Sequence, residues 1–353
     1  MKTHRLLTLA LACTCSLALQ LSPSWILAED KEDIVPDGPW ISSIAWQDAD
    51  TLLGTHSQGL LFRAGQVVSA PSANPQTLTV IGESETSLWS VCPVSDGRSV
   101  ATTYKGAALL FDSPANQAGE APSTGKSFEL DARWIRALEP VKSSGELLAG
   151  TEDGKLLVLS VDETKELRRI DAHSAAIFDI AFSAAGDKVA TAAGDGTLKV
   201  FSWPQLEPLA SMSVGSEAIW SCLFIDNDTH LVSGGASRSV QLWDVAAAQS
   251  IISLASAHDW ITSLAALPDT NLVVAGCMDG NLLVVDTHTM HSVTEQPGPG
   301  SAIWSVALSP DNLQLAVGTR KHGMAVLEVQ PWIEAGANAA QELQGIRPPA
   351  PKK

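Results

Sequence analysis

Residues 216–245 read SEAIWSCLFIDNDTHLVSGGASRSVQLWDV, and this stretch decides the fold. Its first part, residues 219–225, is a short apolar run that predicts a β-strand. Residues 230–233 and 239–243 are two further runs of the same kind, separated by turn-forming Asp/Asn and Gly/Ser segments. Three short strands in a meander cannot bury both of their faces alone, so the stretch predicts neighbours of the same kind.

The same pattern recurs along the chain at a fixed spacing. If Ile219 is position zero of its unit, equivalent apolar residues follow at intervals of 47, 47 and then four times 42 residues. They are Ile41, Leu88, Ile135, Ile177, Ile219, Ile261 and Ile303. A constant period of about 40–45 residues with four strands per unit is typical of a β-propeller. The sequence therefore predicts an all-β, seven-bladed β-propeller of four-stranded antiparallel blades, starting near residues 40, 87, 134, 176, 218, 260 and 302.

Several blades also carry parts of a His–Ser/Thr–Asp–Trp set. The residues are His173, Thr191 and Asp195-Gly196 in blade 4, Ser233 and Trp243-Asp244 in blade 5, His258 and Asp279-Gly280 in blade 6, and Asp153-Gly154 in blade 3. On these residues, the repeats over residues 40–330 resemble WD40 repeats. The resemblance implies a buried hydrogen-bond network of His173, Thr191 and Asp195, with Phe201 in place of the family's Trp.

The residues before the repeats have the pattern of a secretory signal. Basic residues precede an apolar run over residues 6–21, and Ala28 precedes Glu29. We therefore expect residues 1–28 to be a signal peptide and the product to be exported, periplasmic or secreted. The alternative is that this segment is retained as an N-terminal membrane anchor. Residues 29–330 then form the propeller, and residues 331–353 form a tail with a helix-forming patch over residues 333–343.

A second periodic position predicts how the ring closes. The residue seven before position zero is apolar in six of the seven units, and it belongs to the outer strand of the preceding blade. Ile34 continues this series although no blade precedes it. We expect Ile34-Val35 to supply the outer strand of blade 7, which would pair the two ends of the chain and leave few free sheet edges.

Composition narrows the classes of partner. The formal net charge is −17, which disfavours binding to nucleic acid. After residues 1–28, no apolar run is long enough to span a membrane. Cys92, Cys222 and Cys277 lie inside predicted strands and are expected to be buried free thiols. The sequence predicts a monomeric propeller with no metal or cofactor.

The sequence has no recognisable catalytic motif. It has no glycine-rich phosphate loop and no Gly-x-Ser-x-Gly elbow. Glu139 and Asp179 place acidic side chains in inner strands that are otherwise apolar or small, and we expect both to face a wet channel. The sequence therefore predicts that the protein is not an enzyme.

The aromatic residues carry the functional prediction. The two positions that flank position zero hold one aromatic residue in every blade, namely Trp40, Trp89, Trp134, Phe178, Trp220, Trp260 and Trp304. With a period of two, both positions would lie on one face of the inner strand. The resemblance implies that this end of the strand lies at the top rim of the central channel, where partners usually bind. Arg136, Tyr104, Glu152 and Arg320 are expected near the same rim.

These observations favour a non-catalytic scaffold that docks a protein or peptide over the aromatic rim, because Trp and Arg at a concave mouth are common in interaction hot spots. One alternative is a binder of small ligands or glycans. Another is an exported hydrolase or oxidoreductase. A purely structural interpretation is that the rings only seal the gaps between adjacent blades as part of the core.

Overall fold

The computed structural model describes residues 40–57, 63–112, 121–142, 144–289 and 291–345. The strands form antiparallel sheets in chain order, one sheet for each blade. Blade 1 is β1 (Trp40–Trp46), β2 (Thr51–Ser57), β3 (Gly65–Pro71) and β4 (Thr79–Ser84), and blade 2 is β5 (Leu88–Pro93), β6 (Ser99–Thr103), β7 (Ala108–Phe111) and β8 (Lys126–Ser127). Blade 3 is β9 (Ile135–Pro140), β10 (Glu146–Thr151), β11 (Lys155–Ser160) and β12 (Lys165–Asp171), and blade 4 is β13 (Ile177–Phe182), β14 (Lys188–Ala193), β15 (Thr197–Ser202) and β16 (Pro208–Ser213).

The remaining blades repeat this arrangement. Blade 5 is β17 (Ile219–Ile225), β18 (His230–Gly235), β19 (Ser239–Asp244) and β20 (Gln249–Ser256), blade 6 is β21 (Ile261–Leu267), β22 (Leu272–Cys277), β23 (Asn281–Asp286) and β24 (His291–Pro297), and blade 7 is β25 (Ile303–Leu308), β26 (Gln314–Thr319) and β27 (Met324–Glu328). The prediction of a seven-bladed β-propeller is confirmed. The predicted signal peptide and the predicted closing strand Ile34-Val35 lie outside the described residues.

The periodic apolar residues explain how neighbouring blades pack. Each side chain at position zero is almost fully buried, and at five of the seven junctions it lies against a glycine of the blade before it. A Cβ atom built on Gly234 of blade 5 would lie 2.4 Å from Cγ2 of Ile261 in blade 6. A Cβ atom on Gly318 of blade 7 would lie 2.9 Å from Cγ2 of Ile41 in blade 1. The core therefore consists of interlocked layers between successive sheets, and blade 7 packs directly on blade 1.

A belt of hydrogen bonds joins the inner strands, which we call the inner belt. At five junctions between neighbouring blades, the residue two positions after position zero accepts a hydrogen bond through its side-chain oxygen. The donor is the backbone N–H of the residue three positions after position zero in the next blade. The pairs are Ser43 with Val91 (3.2 Å), Asp179 with Cys222 (2.9 Å), Ser221 with Leu264 (3.2 Å), Ser263 with Val306 (3.2 Å) and Ser305 with Ile44 (3.3 Å). The last pair, together with a bond of 2.9 Å from Trp46 Nε1 to the Ala307 carbonyl, joins blade 7 to blade 1.

The chain continues after blade 7 into helix α1 (Gln330–Gly345), as the helix-forming patch predicts. Trp332 at its start is buried in the core shared by blades 6 and 7. Gly336 lies close to Leu272, so the helix packs on the sheet of blade 6. None of the helical segments in the described residues has the length and apolar character of a membrane span. Cys92, Cys222 and Cys277 are buried and free, as predicted.

Candidate functional site

All seven inner strands contain a β-bulge directly after position zero. In blade 4, Ile177 pairs with Ala193 and Asp179 pairs with Ala192, which leaves Phe178 without a partner on β14. The same shift interrupts β1, β5, β9, β17, β21 and β25. A bulge bends its strand and turns the extra side chain away from the regular pleat. The residue directly after position zero therefore points to the central channel. A strict period of two would instead place it on the same face as the residue directly before position zero.

We call the side of the propeller on which the inner strands begin the upper side. Backbone hydrogen bonds show which other residues lie there. In six blades, the first residue after the second strand donates its N–H to the carbonyl of the residue before position zero. The pairs are Tyr104 with Ser87, Glu152 with Trp134, Gly194 with Ala176, Ala236 with Ala218, Met278 with Trp260 and Arg320 with Ala302, at 2.7–3.1 Å. These bonds place Tyr104, Glu152 and Arg320 beside the start of the inner strands, where the sequence predicts the rim.

Five of the bulged side chains form a closed ring of contacts at the upper end of the channel, which we call the inner ring. It consists of Trp89, Arg136, Phe178, Trp220 and Trp304, all of them half-buried. The Arg136 guanidinium carbon lies 4.6 Å from the Trp89 ring centre and 5.5 Å from that of Phe178. Ring centres are 5.5 Å apart for Phe178 and Trp220, 6.4 Å for Trp220 and Trp304, and 5.8 Å for Trp304 and Trp89. The inner ring thus surrounds the channel mouth.

Three further tryptophans stand behind the inner ring, and we call them the outer tryptophans. Trp40 lies 5.4 Å from Trp304, Trp260 lies 5.5 Å from Trp220, and Trp134 lies 4.3 Å from the Arg136 guanidinium. All three come one residue before position zero, so they precede the bulge. Two of their blades have the small residues Ser42 and Thr262 at the bulge. Six blades therefore fill their share of the mouth with one large side chain from one position or the other, and blade 3 supplies both Trp134 and Arg136.

The sequence prediction that all seven aromatic residues share one face is wrong in this respect. The bulge separates the two positions, so the inner ring lines the channel cavity whereas the outer tryptophans do not. Trp40 is only 4% exposed, so it supports Trp304 and offers no surface of its own. Tyr104 packs between Trp89 and Trp134, with ring centres 5.5 and 4.5 Å away. Register alone could not reveal this division, because it depends on the bulge.

The cavity below the inner ring has a volume of about 310 Å³ and is lined by the inner strands of all seven blades. Glu139 and Asp179 both face it, as the sequence predicts. Asp179 also holds blade 5, since its carboxylate accepts bonds from Ser221 Oγ (2.7 Å) and from the Cys222 N–H. Burial raises the pKa of Glu139 to about 8, with a further contribution from the negative charge of Asp179. Burial likewise raises the pKa of Asp179 to about 6.

Replacing Glu139 with glutamine should change how stability depends on pH. The pKa of Glu139 is higher in the folded protein than its usual 4.5, so the folded state binds this proton more tightly and loses stability as the pH rises towards 8. Each pKa unit corresponds to about 1.4 kcal/mol, and because Glu139 is only half-buried, solvent screening reduces the effect. We expect Glu139→Gln to gain about 2 kcal/mol over wild type between about pH 5 and pH 9, measured by urea unfolding.

Glu207→Gln is the matched control, because Glu207 is exposed and lies far from the channel, in the turn before β16. Its difference from wild type should stay constant over the same pH range. A Glu139→Gln variant whose stability follows that of wild type at every pH would show that Glu139 is hydrated like a surface carboxylate.

The predicted buried network is present in blade 4. His173 Nε2 lies 2.7 Å from Thr191 Oγ1, and its Nδ1 lies 3.3 Å from the Asp195 carboxylate and 2.9 Å from Thr197 Oγ1. The imidazole is fully buried, and burial lowers the pKa of His173. In blade 5, Trp243 Nε1 donates to Ser233 Oγ at 2.8 Å.

His258 of blade 6 is not part of such a network, although the sequence comparison groups it with His173. Ala257 and Ala275 take the places that His173 and Thr191 have in blade 4, and His258 is exposed and pairs with Glu295 at 2.8 Å. With Asp279, these side chains bring three ligand-type atoms within 4.8 Å of one another. All three residues are exposed, and such groups are common without an ion, so we assign no metal to them.

The fold and the mouth define a class of protein, a repeat propeller with an aromatic channel mouth. The sequence model of the family described as "WD domain, G-beta repeat" matches residues 164–202, 206–244 and 249–286. These ranges run from the end of blade 3 to blade 6, where the hydrogen-bond network residues lie. Together with the relatives below, they show that the chain is a member of the WD40 β-propeller family.

Three relatives illustrate the similarity. The chain is 26% identical over 193 residues to WD repeat-containing protein VIP3 of Arabidopsis thaliana, and the matched region covers 51% of this chain and 60% of the relative. It is 28% identical over 176 residues to SEC12-like protein 2 of the same plant, covering 48% and 44%. It is 25% identical over 220 residues to WD repeat-containing protein 55 of Rattus norvegicus, covering 61% and 54%. The matches thus span less than two thirds of these relatives. WD40 propellers generally act as protein-interaction scaffolds.

Proposed function

We propose that the protein is a non-catalytic scaffold that docks a segment of a protein partner on the inner ring at the channel mouth. The observation that carries this proposal is the closed contact ring of Trp89, Arg136, Phe178, Trp220 and Trp304, whose side chains are half-buried around a concave opening. Tryptophan and arginine clustered at the centre of a concave surface are the residues that most often dominate binding energy.

The cavity geometry supports docking over the mouth. Arg136 is held over two aromatic rings and by Glu152, so the inner ring presents one preorganised surface. Preorganised side chains lose little conformational entropy when a partner binds. We also propose that docking takes place outside the cytoplasm, because residues 1–28 have the pattern of a secretory signal.

Site-specific photo-crosslinking tests the location of docking. A photoreactive amino acid replaces Ala302, which directly precedes Ile303 at the mouth, or Leu313, which is exposed in the lower turn of the same blade. Each variant is incubated with the envelope fraction of its own cells and irradiated. We expect a discrete crosslinked protein from position 302 and none from position 313. Crosslinking from position 313 alone would contradict docking at the mouth.

A further inference from the structure

The Arg136 guanidinium is a largely buried charged group at the mouth. Its side chain is only 10% exposed, so the charge is largely withdrawn from water. Its Nε donates to Glu152 Oε2 at 2.6 Å, and its plane lies over the rings of Trp89 and Trp134. This bond uses one of the five N–H donors of the guanidinium. A largely buried charge favours hydrogen-bond partners for its remaining donors, and Arg136 lines the cavity.

The aromatic residues around Arg136 also have unpaired donors. The indole N–H groups of Trp40, Trp134 and Trp304 and the hydroxyl of Tyr104 are buried without a hydrogen-bond partner in the part of the chain that the structure describes. These residues all belong to the inner ring or pack directly against it. Buried polar groups are rarely left unpaired, so several at one site require an explanation. The surroundings of Arg136 are therefore rich in N–H and O–H donors, which favours a ligand that accepts hydrogen bonds.

We propose that Arg136 binds the carboxylate of an aspartate or glutamate side chain in the docked segment. Two Nη groups in one plane match the two oxygens of a carboxylate, and such bidentate pairs are strong and directional. Apolar residues on both sides of the acidic residue lie on Trp220 and Trp304, across the mouth from Trp134. This proposal deepens the proposed function and rests on it.

The charges around the mouth restrict the ligand to a single carboxylate in an apolar segment. The Asp179 carboxylate lines the deeper wall of the cavity, so an anion is repelled below the inner ring. The chain has a net charge of −17, so a segment with many acidic residues is repelled as a whole. An internal side chain also fits better than a chain terminus, because a segment that ended at Arg136 would leave Trp220 and Trp304 uncovered.

Two capped peptides test the proposal, acetyl-Leu-Phe-Glu-Phe-Leu-amide and the same peptide with glutamine in place of glutamate. They contain no tryptophan, so the intrinsic fluorescence of the inner ring reports their binding. We expect the glutamate peptide to bind wild type about tenfold more tightly than the glutamine peptide does, because only the glutamate peptide forms a charged hydrogen-bonded pair with Arg136. Arg136→Met keeps a long side chain over the rings and should lose this preference. Arg238→Met, on the exposed upper turn of blade 5, should keep it.

Glu152→Gln provides a second readout that does not require Arg136 to be replaced. This substitution removes the carboxylate that competes for Arg136. The glutamate peptide should therefore bind the variant at least about threefold more tightly than it binds wild type. Equal affinity of both peptides for wild type, or no binding of the glutamate peptide at about 1 mM, would overturn the carboxylate anchor. If both peptides bind equally and Trp304→Ala weakens both, docking at the mouth stands while the anchor is wrong. Crosslinking from position 302 tests docking independently of either peptide.

Discussion

Replacing His173 with alanine should lower the free energy of unfolding by about 3 kcal/mol. The imidazole is fully buried and contacts Thr191, Asp195 and Thr197. Its removal leaves the buried Thr191 hydroxyl and part of the Asp195 carboxylate without partners and opens a cavity. The measurement is urea unfolding near pH 7, where the lowered pKa of His173 keeps the imidazole neutral in the folded protein.

The matched control is His258→Ala in blade 6. His258 is exposed and contacts Glu295 at the surface, so its loss should cost about 0.5 kcal/mol or less. Equal losses for the two variants would contradict the assignment of His173 to a buried network. A small loss for both would show that water replaces the imidazole in blade 4.

Replacing Trp304 with alanine should weaken binding of the docked partner by about 2 kcal/mol or more, roughly a 30-fold loss of affinity. Trp304 contacts Trp40, Trp89 and Trp220, so it connects the two sides of the inner ring. It is half-buried, so we expect a smaller loss of folding stability, about 1–2 kcal/mol. Thermal unfolding measures the second effect, and titration of the partner identified by crosslinking measures the first.

The periodic part of the fold could be predicted because it follows from packing that repeats in every blade. Position zero must fill the gap between two sheets, so an apolar residue recurs there and gives the period directly. The same register contains the inner belt, since Ser43, Ser221, Ser263 and Ser305 recur two residues after position zero. That series is visible in the sequence. The role of these serines in joining the blades cannot be seen in the sequence, because a serine in a strand is equally compatible with a solvent-facing position.

The site was predicted less completely. The sequence identifies the aromatic residues of the mouth, but a period of two cannot separate Trp304 from Trp40. The β-bulge separates them by turning one side chain into the channel and leaving the other behind it. His258 was misassigned for a simpler reason. His258 lies one residue closer to position zero of its blade than His173 does in blade 4. The residue of blade 6 that is equivalent to His173 is Ala257.

The most direct test of the central claim compares the affinity of the crosslinked partner for wild type, Trp304→Ala and Trp203→Ala. Trp203 is also half-buried, but it lies in a lower turn of blade 4, where it packs on Phe182 with ring centres 5.5 Å apart. Docking at the mouth predicts about a 30-fold loss for Trp304→Ala and unchanged affinity for Trp203→Ala, with both variants folded. A folded Trp304→Ala variant that binds as tightly as wild type would show that the inner ring is packing and that the partner binds elsewhere.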